Sequence, residues 1–312
     1  MFDLFREENW PVLIGLGIGG GLALASLILL SFLRPTTGPS ATSARAVLSL
    51  AVETASQRAG SLVLLWISVS VGYTVVSLLY SLIGRSTSLF DTMMTAVLIF
   101  LGHRALLDRP ARDAGIEMPE TGYWRILLRS VVFGLLGLAA AALVFLCAAL
   151  LVALAAYAGV TGDGPLYLVG ALAGIAAIRL SILFARLSFL YPASVLGQRD
   201  WFGGALQRSA GAGPGLATSL WILALAATAL VIPVMLWSSA LIDVIVGNLP
   251  VRPGELPGDF GTARYWATLV FEELPLNLLI VAYCLCSIAC VSAAYRLAVL
   301  APDRAKTDSR HN

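Results

Sequence analysis

Seven long runs of apolar residues constrain the fold of this chain more than any other feature of its sequence. An α-helix rises about 1.5 Å per residue, so about 20 apolar residues cross a hydrocarbon core roughly 30 Å thick. Backbone polar groups find no water in that core, and only helices or closed barrels can therefore span it. The apolar residues are continuous rather than alternating, which excludes a barrel. The sequence predicts an all-α, polytopic transmembrane helix bundle of about seven spans.

The apolar runs divide the chain into four predicted regions. A single transmembrane helix occupies 1–34, and because its flank is acidic, with Glu7 and Glu8, we expect an uncleaved helix rather than a signal peptide. The other regions are a linker with an interfacial amphipathic helix at 35–60, a six-span membrane domain at 61–300 and a disordered tail at 301–312. The spans are expected at 12–33, 61–83, 89–107, 126–158, 166–190, 216–246 and 267–300.

Composition supports a membrane protein and argues against other classes. Apolar residues make up 59% of the 312 positions and charged residues only 12%, against about 45–50% and about 25% in soluble domains. A net charge of +2 is too small to indicate nucleic-acid binding. Lys306 is the one lysine, a bias typical of high-GC bacterial genomes, and we expect a multi-pass protein of the bacterial inner membrane. No metal or cofactor is predicted, since the cysteines fall inside apolar runs without disulfide or zinc spacing: Cys147, Cys284, Cys286 and Cys290.

Basic residues are distributed unevenly between the two predicted sides of the membrane. With seven spans and an outside N-terminus, fifteen basic residues flank the inner ends of the spans and four flank the outer ends. The positive-inside rule then places the C-terminus in the cytoplasm. The inner set is Arg34, Arg45, Arg58, Arg104, Arg109, Arg112, Arg125, Arg129, Arg186, Arg199, Arg208, Arg296, Arg304, Lys306 and Arg310; the outer set is Arg6, Arg85, Arg252 and Arg264.

Ionisable residues inside spans are candidates for function, because a charge within lipid is costly. Arg179 is the deepest, about 20 Å along its helix from the outer end, and Arg186 follows on the same face. Asn277 lies at comparable depth on the last span, with Glu272 and Glu273 nearer the outer surface. One interpretation is a polar site facing the bundle interior, along which an ion, a proton or a headgroup could move. The favoured alternative is a structural arginine that fixes helix register, with the carboxylates at the interface.

Glycines at a spacing of four indicate close helix packing. The first span carries Gly15, Gly17, Gly19 and Gly21, which form two GxxxG pairs, and we predict that they form a helix-docking face for other membrane-protein subunits. They also match the dinucleotide-binding fingerprint, but that motif needs a preceding strand, which a transmembrane helix cannot supply. A further pair, Gly170 and Gly174, predicts a tight crossing on the fifth span.

Sequence signatures of enzymes are absent, and no catalytic residue can be named. The chain has no G-x-S-x-G elbow, no H-E-x-x-H motif and no P-loop. His103, beside Arg104 at an inner helix end, is expected to reach toward the membrane surface. A retinal protein needs a lysine within a span, whereas Lys306 lies in the tail.

The segment after the fifth span has the most distinctive composition. Pro192 is expected to end the span, and the residues that follow suit a short helix on the cytoplasmic surface. Trp201 would lie at the interface, and Arg208 would face anionic headgroups. Together with Ser188 and Ser209, these residues define a predicted interfacial elbow.

One residue pattern in this segment is shared with known families. It consists of Arg186, Ser188, Pro192, Ala193, Ala205, Leu206, Arg208 and Ser209. The pattern resembles the YciC-type family and is similar also to the membrane domain beside some bacterial glycerophosphodiester phosphodiesterases. It departs at 196–198, where an acidic residue is common in those proteins and this chain has Leu-Gly-Gln. The resemblance, extended over 45–300, implies a polytopic inner-membrane protein of undefined biochemical role. It implies no catalytic residue, because the phosphodiesterase name belongs to a neighbouring domain.

Two hypotheses for function follow. The first is a non-enzymatic membrane protein, an accessory, assembly or lipid-interacting subunit that binds membrane lipids and other subunits through its first helix. The second is a transporter or small-molecule-binding bundle with a polar site around Arg179 and Glu272 or Glu273. An intramembrane enzyme is a weaker third, because no nucleophile, base and orienting group can be identified.

Overall fold

The structure is a computed structural model that describes residues 10–33, 42–83, 88–119, 122–159, 163–198, 201–246, 248 and 263–300. Several predicted features lie outside the described residues. They are the linker before residue 42, the turn at 84–86, most of the loop at 247–264 and the tail at 301–312.

The described segments are helices joined by short connections, and they contain no strand. Seven of the helices in the described segments, α1, α3, α4, α5, α6, α9 and α10, are long and apolar enough to cross a membrane, which confirms the predicted polytopic helix bundle. Single π-helical turns, Ile242–Val246 and Arg296–Leu300, extend α9 and α10. The α-helices are α1 (Trp10–Leu33), α2 (Ala44–Gln57), α3 (Ala59–Ile83), α4 (Ser88–Asp113), α5 (Tyr123–Tyr157), α6 (Gly164–Leu187), α7 (Leu190–Val195), α8 (Phe202–Arg208), α9 (Gly213–Leu241) and α10 (Ala263–Tyr295).

The seven long helices give the bundle two unlike ends. We call one the α7 end; it contains the short helices α2, α7 and α8, the last turns of α4, α6 and α10, and the first turns of α3, α5 and α9. The opposite end is called the far end. The largest fully buried side chains concentrate at the α7 end: Tyr295, Phe189, Leu106, Leu107, Ile126, Leu190, Leu216, His103 and Val195. Toward the far end, α5 and α9 expose most of their side chains.

Glycines allow α1 and α6 to pack as parallel neighbours with their backbones in contact. A Cβ atom on Gly15 or Gly19 would overlap the backbone of α6, and one on Gly170 or Gly174 would overlap the backbone of α1. The predicted tight crossing at Gly170 and Gly174 is confirmed, and its partner is the first span of the same chain.

Helix α2 covers the α7 end of α9 and α10. Its N-cap is Ser43, whose hydroxyl accepts a hydrogen bond from the Ala46 amide at 3.2 Å. The buried stripe Ala44, Val47 and Ala51 faces α9 and α10. The crossing with α9 is close because position 215 is glycine: a Cβ there would overlap the carbonyl of residue 42.

Candidate functional site: a central cavity and its floor

A cavity of about 420 Å³ lies among α4, α5, α6, α9 and α10, and α7 contributes to its lining. Most of its lining is aliphatic or aromatic, for example Leu98, Ile99, Phe184, Leu220 and Ile288. Such a volume and such a lining are ordinary for sites that bind an apolar ligand.

Several polar groups in the cavity wall have partners within the protein, and the Tyr283 hydroxyl is a wall group with no such partner among the described residues. Trp221 Nε1 donates to Ser181 Oγ at 2.9 Å, and Ser181 donates in turn to the Ile178 carbonyl at 2.6 Å. Ser287 donates to the Tyr283 carbonyl at 2.9 Å, one turn back on its own helix. These three donors are satisfied and require no polar atom from a ligand.

Aromatic rings form the floor of the cavity at the α7 end. The rings of His103 and Tyr191 stack with centroids 6.5 Å apart, and Phe133 contacts both Tyr191 and Phe184. His103 Nδ1 hydrogen-bonds Ser292 Oγ at 2.8 Å. The expectation that His103 reaches the membrane surface is therefore wrong: the inserted helix α7 covers it, and it is 1% exposed.

Arg129 on α5 holds α7 in place beneath this floor. Its guanidinium is buried and donates to the Leu190 carbonyl at 3.0 Å, to the hydroxyl of Ser194 and to the Gln198 carbonyl at 3.5 Å. The Leu190 carbonyl lies in the first turn of α7 and Gln198 follows its last turn, so this one cation binds both ends of the short helix.

The last long helix fixes the same segment from the other side. Tyr295 on α10 donates from its hydroxyl to Gln198 Oε1 at 2.9 Å, and its ring packs against Phe189 with centroids 5.3 Å apart. The α6–α7 connection is thus held between α5 and α10. It is an internal part of the bundle.

The predicted elbow residues divide between the interior and the surface. Ser188, Pro192 and Ser209 are buried, whereas Trp201 is exposed and Arg208 is partly buried on α8. The short helix that ends at Arg208, α8, is half-exposed, whereas α7, which contains Pro192, is buried in the bundle. Helix α7 carries no charged side chain, and its one serine, Ser194, bonds within the protein.

Arg186 connects α6 to α8. Its guanidinium donates to the Leu206 carbonyl at 2.6 Å and to Ser209 Oγ at 3.4 Å. Three residues of the family-like pattern thus meet in one contact, and their role at this position is to join two helices.

The structure does not bring the predicted intramembrane polar residues together. Arg179 is exposed on α6, in a groove shared with α5, because Ser181, two residues away and about 200° around the helix, takes the cavity-facing position. Asn277 donates to Thr74 Oγ1 at 3.1 Å and joins α10 to α3. Glu272 is exposed and Glu273 partly buried on α10.

The predicted docking glycines also separate. Gly15 and Gly19 are used within the chain, against α6, whereas a Cβ on Gly17 or Gly21 would have no atom within 4 Å. Helix periodicity explains the division, because residues two apart point to opposite sides of a helix.

Sequence reasoning missed the residues that organise the floor: Arg129, Gln198, Tyr295 and Ser292. The burial of Arg129 could have been predicted, since this residue lies one turn deeper in its span than the exposed Arg125. The other three have no local signal, because the partners named above are at least 69 residues away in the chain.

These elements define a polytopic α-helical bundle with seven candidate membrane spans in its described part. Among the described residues, no group of three or more His, Cys, Asp or Glu side chains could hold a metal ion. No protein-family model, curated protein or solved structure matches the chain. The resemblance carried by the elbow residues stays a prediction.

Proposed function

We propose that this protein is a non-enzymatic, lipid-interacting subunit of the bacterial inner membrane, and that its central cavity holds a lipid acyl chain. The observation that carries the proposal is the cavity of about 420 Å³, whose lining is mostly apolar and whose Trp221, Ser181 and Ser287 donors are paired within the protein. An acyl chain requires volume and apolar contact and offers no hydrogen bond, which is what this wall provides.

The distribution of charge supports an orientation with the N-terminus outside and the α7 end in the cytoplasm. Described arginines near helix ends gather at the α7 end, and Arg264 lies at the far end. Cytoplasmic flanks of membrane proteins carry this excess of arginine. The α7-end set is Arg45, Arg58, Arg104, Arg109, Arg112, Arg125, Arg129, Arg186, Arg208 and Arg296.

The alternative of a polar transport site has less support. It needs Arg179 to share a cavity with Glu272 or Glu273, whereas the cavity that Arg179 lines is bounded by α5 and α6. A bundle that selects an apolar chain agrees better with the lining of the central cavity.

Native mass spectrometry of the purified full chain, supplied with phosphatidylethanolamine of a defined chain length, tests the proposal. Ala224 lines the cavity and Ala226, two residues further along α9, is exposed, so Ala224→Phe and Ala226→Phe form a matched pair. We expect Ala224→Phe to lose the tightly bound lipid, about a tenfold fall in occupancy, and Ala226→Phe to keep it. Equal lipid retention by the two variants, with both folded, would reject the cavity as the lipid site.

A further inference from the structure

An unpartnered arginine lies in an apolar groove on the outer surface of the bundle. The groove encloses about 480 Å³ between α5 and α6, and Arg179 is its one charged residue. Within the described part of the chain, no hydrogen-bond or ion-pair partner reaches the Arg179 guanidinium. A charge in this setting is costly, and an anion from outside the chain would stabilise it.

The depth of Arg179 limits where that anion can come from. It lies 16 residues, about 24 Å, beyond Asp163, and about 12 Å before the end of α6 at Leu187. Side chains on a helix lean toward its N-terminus, so the guanidinium leans away from the nearer headgroups and toward the middle of the span. On α6 the groove extends to both sides of Arg179, past Ala176 and Leu172 toward the far end and as far as Leu183 toward the α7 end. A lipid phosphate at the membrane surface is poorly placed to meet it.

A second copy of this chain is poorly placed as well. Ser181 and Cys284 line the same cavity and are therefore at similar depths. Glu272 precedes Cys284 by twelve residues, so in a copy with the same orientation it lies about 15 Å closer to the far end than Arg179 does. The other acidic residues of the described segments lie at or near helix ends.

The groove itself has the form of a helix-docking surface. Its lining includes the small residues Cys147 and Ala148 on α5 and Ala173 and Ala176 on α6. Small residues let a neighbouring helix approach closely inside a membrane, where contact and hydrogen bonding drive association. The open face of α1 at Gly17 and Gly21 also has small residues, but neither of them carries a charge.

We propose that the α5–α6 groove docks a transmembrane helix of another protein, one that carries an Asp or Glu side chain near mid-membrane to pair with Arg179. This inference is independent of the lipid cavity, which lies on the opposite face of α6. It assigns the subunit contact to α5 and α6 and not to the exposed glycines of α1.

The test uses the full chain in phosphatidylcholine vesicles with two synthetic peptides. Each peptide is a leucine–alanine transmembrane helix, one with a central glutamate and the other with a central glutamine. Energy transfer between labelled chain and labelled peptide reports association. We expect the glutamate peptide to bind about tenfold more tightly than the glutamine peptide.

Three variants locate the contact. Arg179→Leu should abolish the preference for glutamate. Ala176→Leu fills the groove and keeps the arginine, and it should lower the affinity for both peptides. Gly17→Leu is at an open position of α1 and should leave the affinity for both peptides unchanged.

Four results would overturn the proposal. They are equal binding of the two peptides, a glutamate preference that survives Arg179→Leu, normal binding by Ala176→Leu, and loss of binding in Gly17→Leu.

Two control experiments test for a different occupant of the groove, and a positive result in either one would also overturn the proposal. Binding of phosphatidylglycerol that depends on Arg179, without a peptide preference, would assign the groove to a headgroup. Transfer between copies of the chain that disappears in Arg179→Leu would assign it to self-association.

Discussion

The α7 end and the far end of this bundle are made of similar apolar helices, yet they are packed differently. At the α7 end, side-chain hydrogen bonds join α5 to α7, α6 to α8, α4 to α10 and α10 to α2. Toward the far end, fewer side-chain hydrogen bonds between helices are described, among them Tyr73 to Thr95 and Asn277 to Thr74. Lipid tails solvate apolar side chains as well as leucine does, so apolar surface alone gives helices little reason to associate. The difference indicates that buried polar contacts and small residues determine where this bundle is tight.

The largest expected effect is at Arg129. Arg129→Leu removes the guanidinium that donates to the Leu190 and Gln198 carbonyls and to Ser194, and with it the cation that holds α7. We expect a loss of about 3 kcal/mol in the free energy of unfolding, measured in mixed micelles. Arg125→Leu is the matched control, since Arg125 is exposed one turn earlier and should cost under about 0.5 kcal/mol. Similar losses in the two variants would mean that Arg129 does not hold α7.

The second largest expected loss of stability is at the α1–α6 crossing, the tightest helix contact that extends toward the far end. Gly19→Val forces a side chain into the backbone of α6, whereas Gly21→Val points into open space. We expect Gly19→Val to destabilise the protein by about 2 kcal/mol and Gly21→Val by well under 1 kcal/mol. Unfolding of both variants in the same micelles checks this. Should Gly21→Val be as damaging as Gly19→Val, α1 would have to pack with a different face.

A pair of leucines on α9 compares the two ends directly. Leu216 is fully buried at the α7 end, whereas Leu236 is 67% exposed toward the far end. We expect Leu216→Ala to cost about 2 kcal/mol, mainly through the cavity it leaves, and Leu236→Ala to be nearly neutral because lipid replaces the lost contacts. Unfolding free energies of the two variants provide the measurement, and a costly Leu236→Ala would show that the far end is also tightly packed.

The smallest expected effect is at the floor of the cavity. Ser292→Ala leaves His103 Nδ1 without its partner in a buried position, and we expect a loss of about 1 kcal/mol. Ser287→Ala, on the same helix, removes a bond to the helix's own Tyr283 carbonyl and should cost less. A calorimetric or denaturant comparison of the two serine variants is sufficient. Equal values would remove any special role for the His103 contact.

A feature of this structure can be predicted from the sequence when residues close together in the chain determine it. The spans and the Gly170–Gly174 crossing could be predicted, because length, apolarity and a spacing of four are local properties. The direction of Arg179 could not, since a single ionisable residue does not reveal which face of its helix meets the bundle. The burial of α7 could not be predicted either: a six-residue helix that contains a proline and no charged residue suits a surface or an interior equally well until Arg129 and Tyr295 are placed.

The floor that α7 forms has a consequence for membrane insertion of the growing chain. Helices enter the membrane in chain order, and α10, which carries Ser292 and Tyr295, is the last of the described helices. Until it arrives, His103 and Gln198 lack their partners on that helix. An unfinished chain would therefore hold α7 through Arg129 alone among these contacts, and the floor of the cavity would be completed only when the last helix packs.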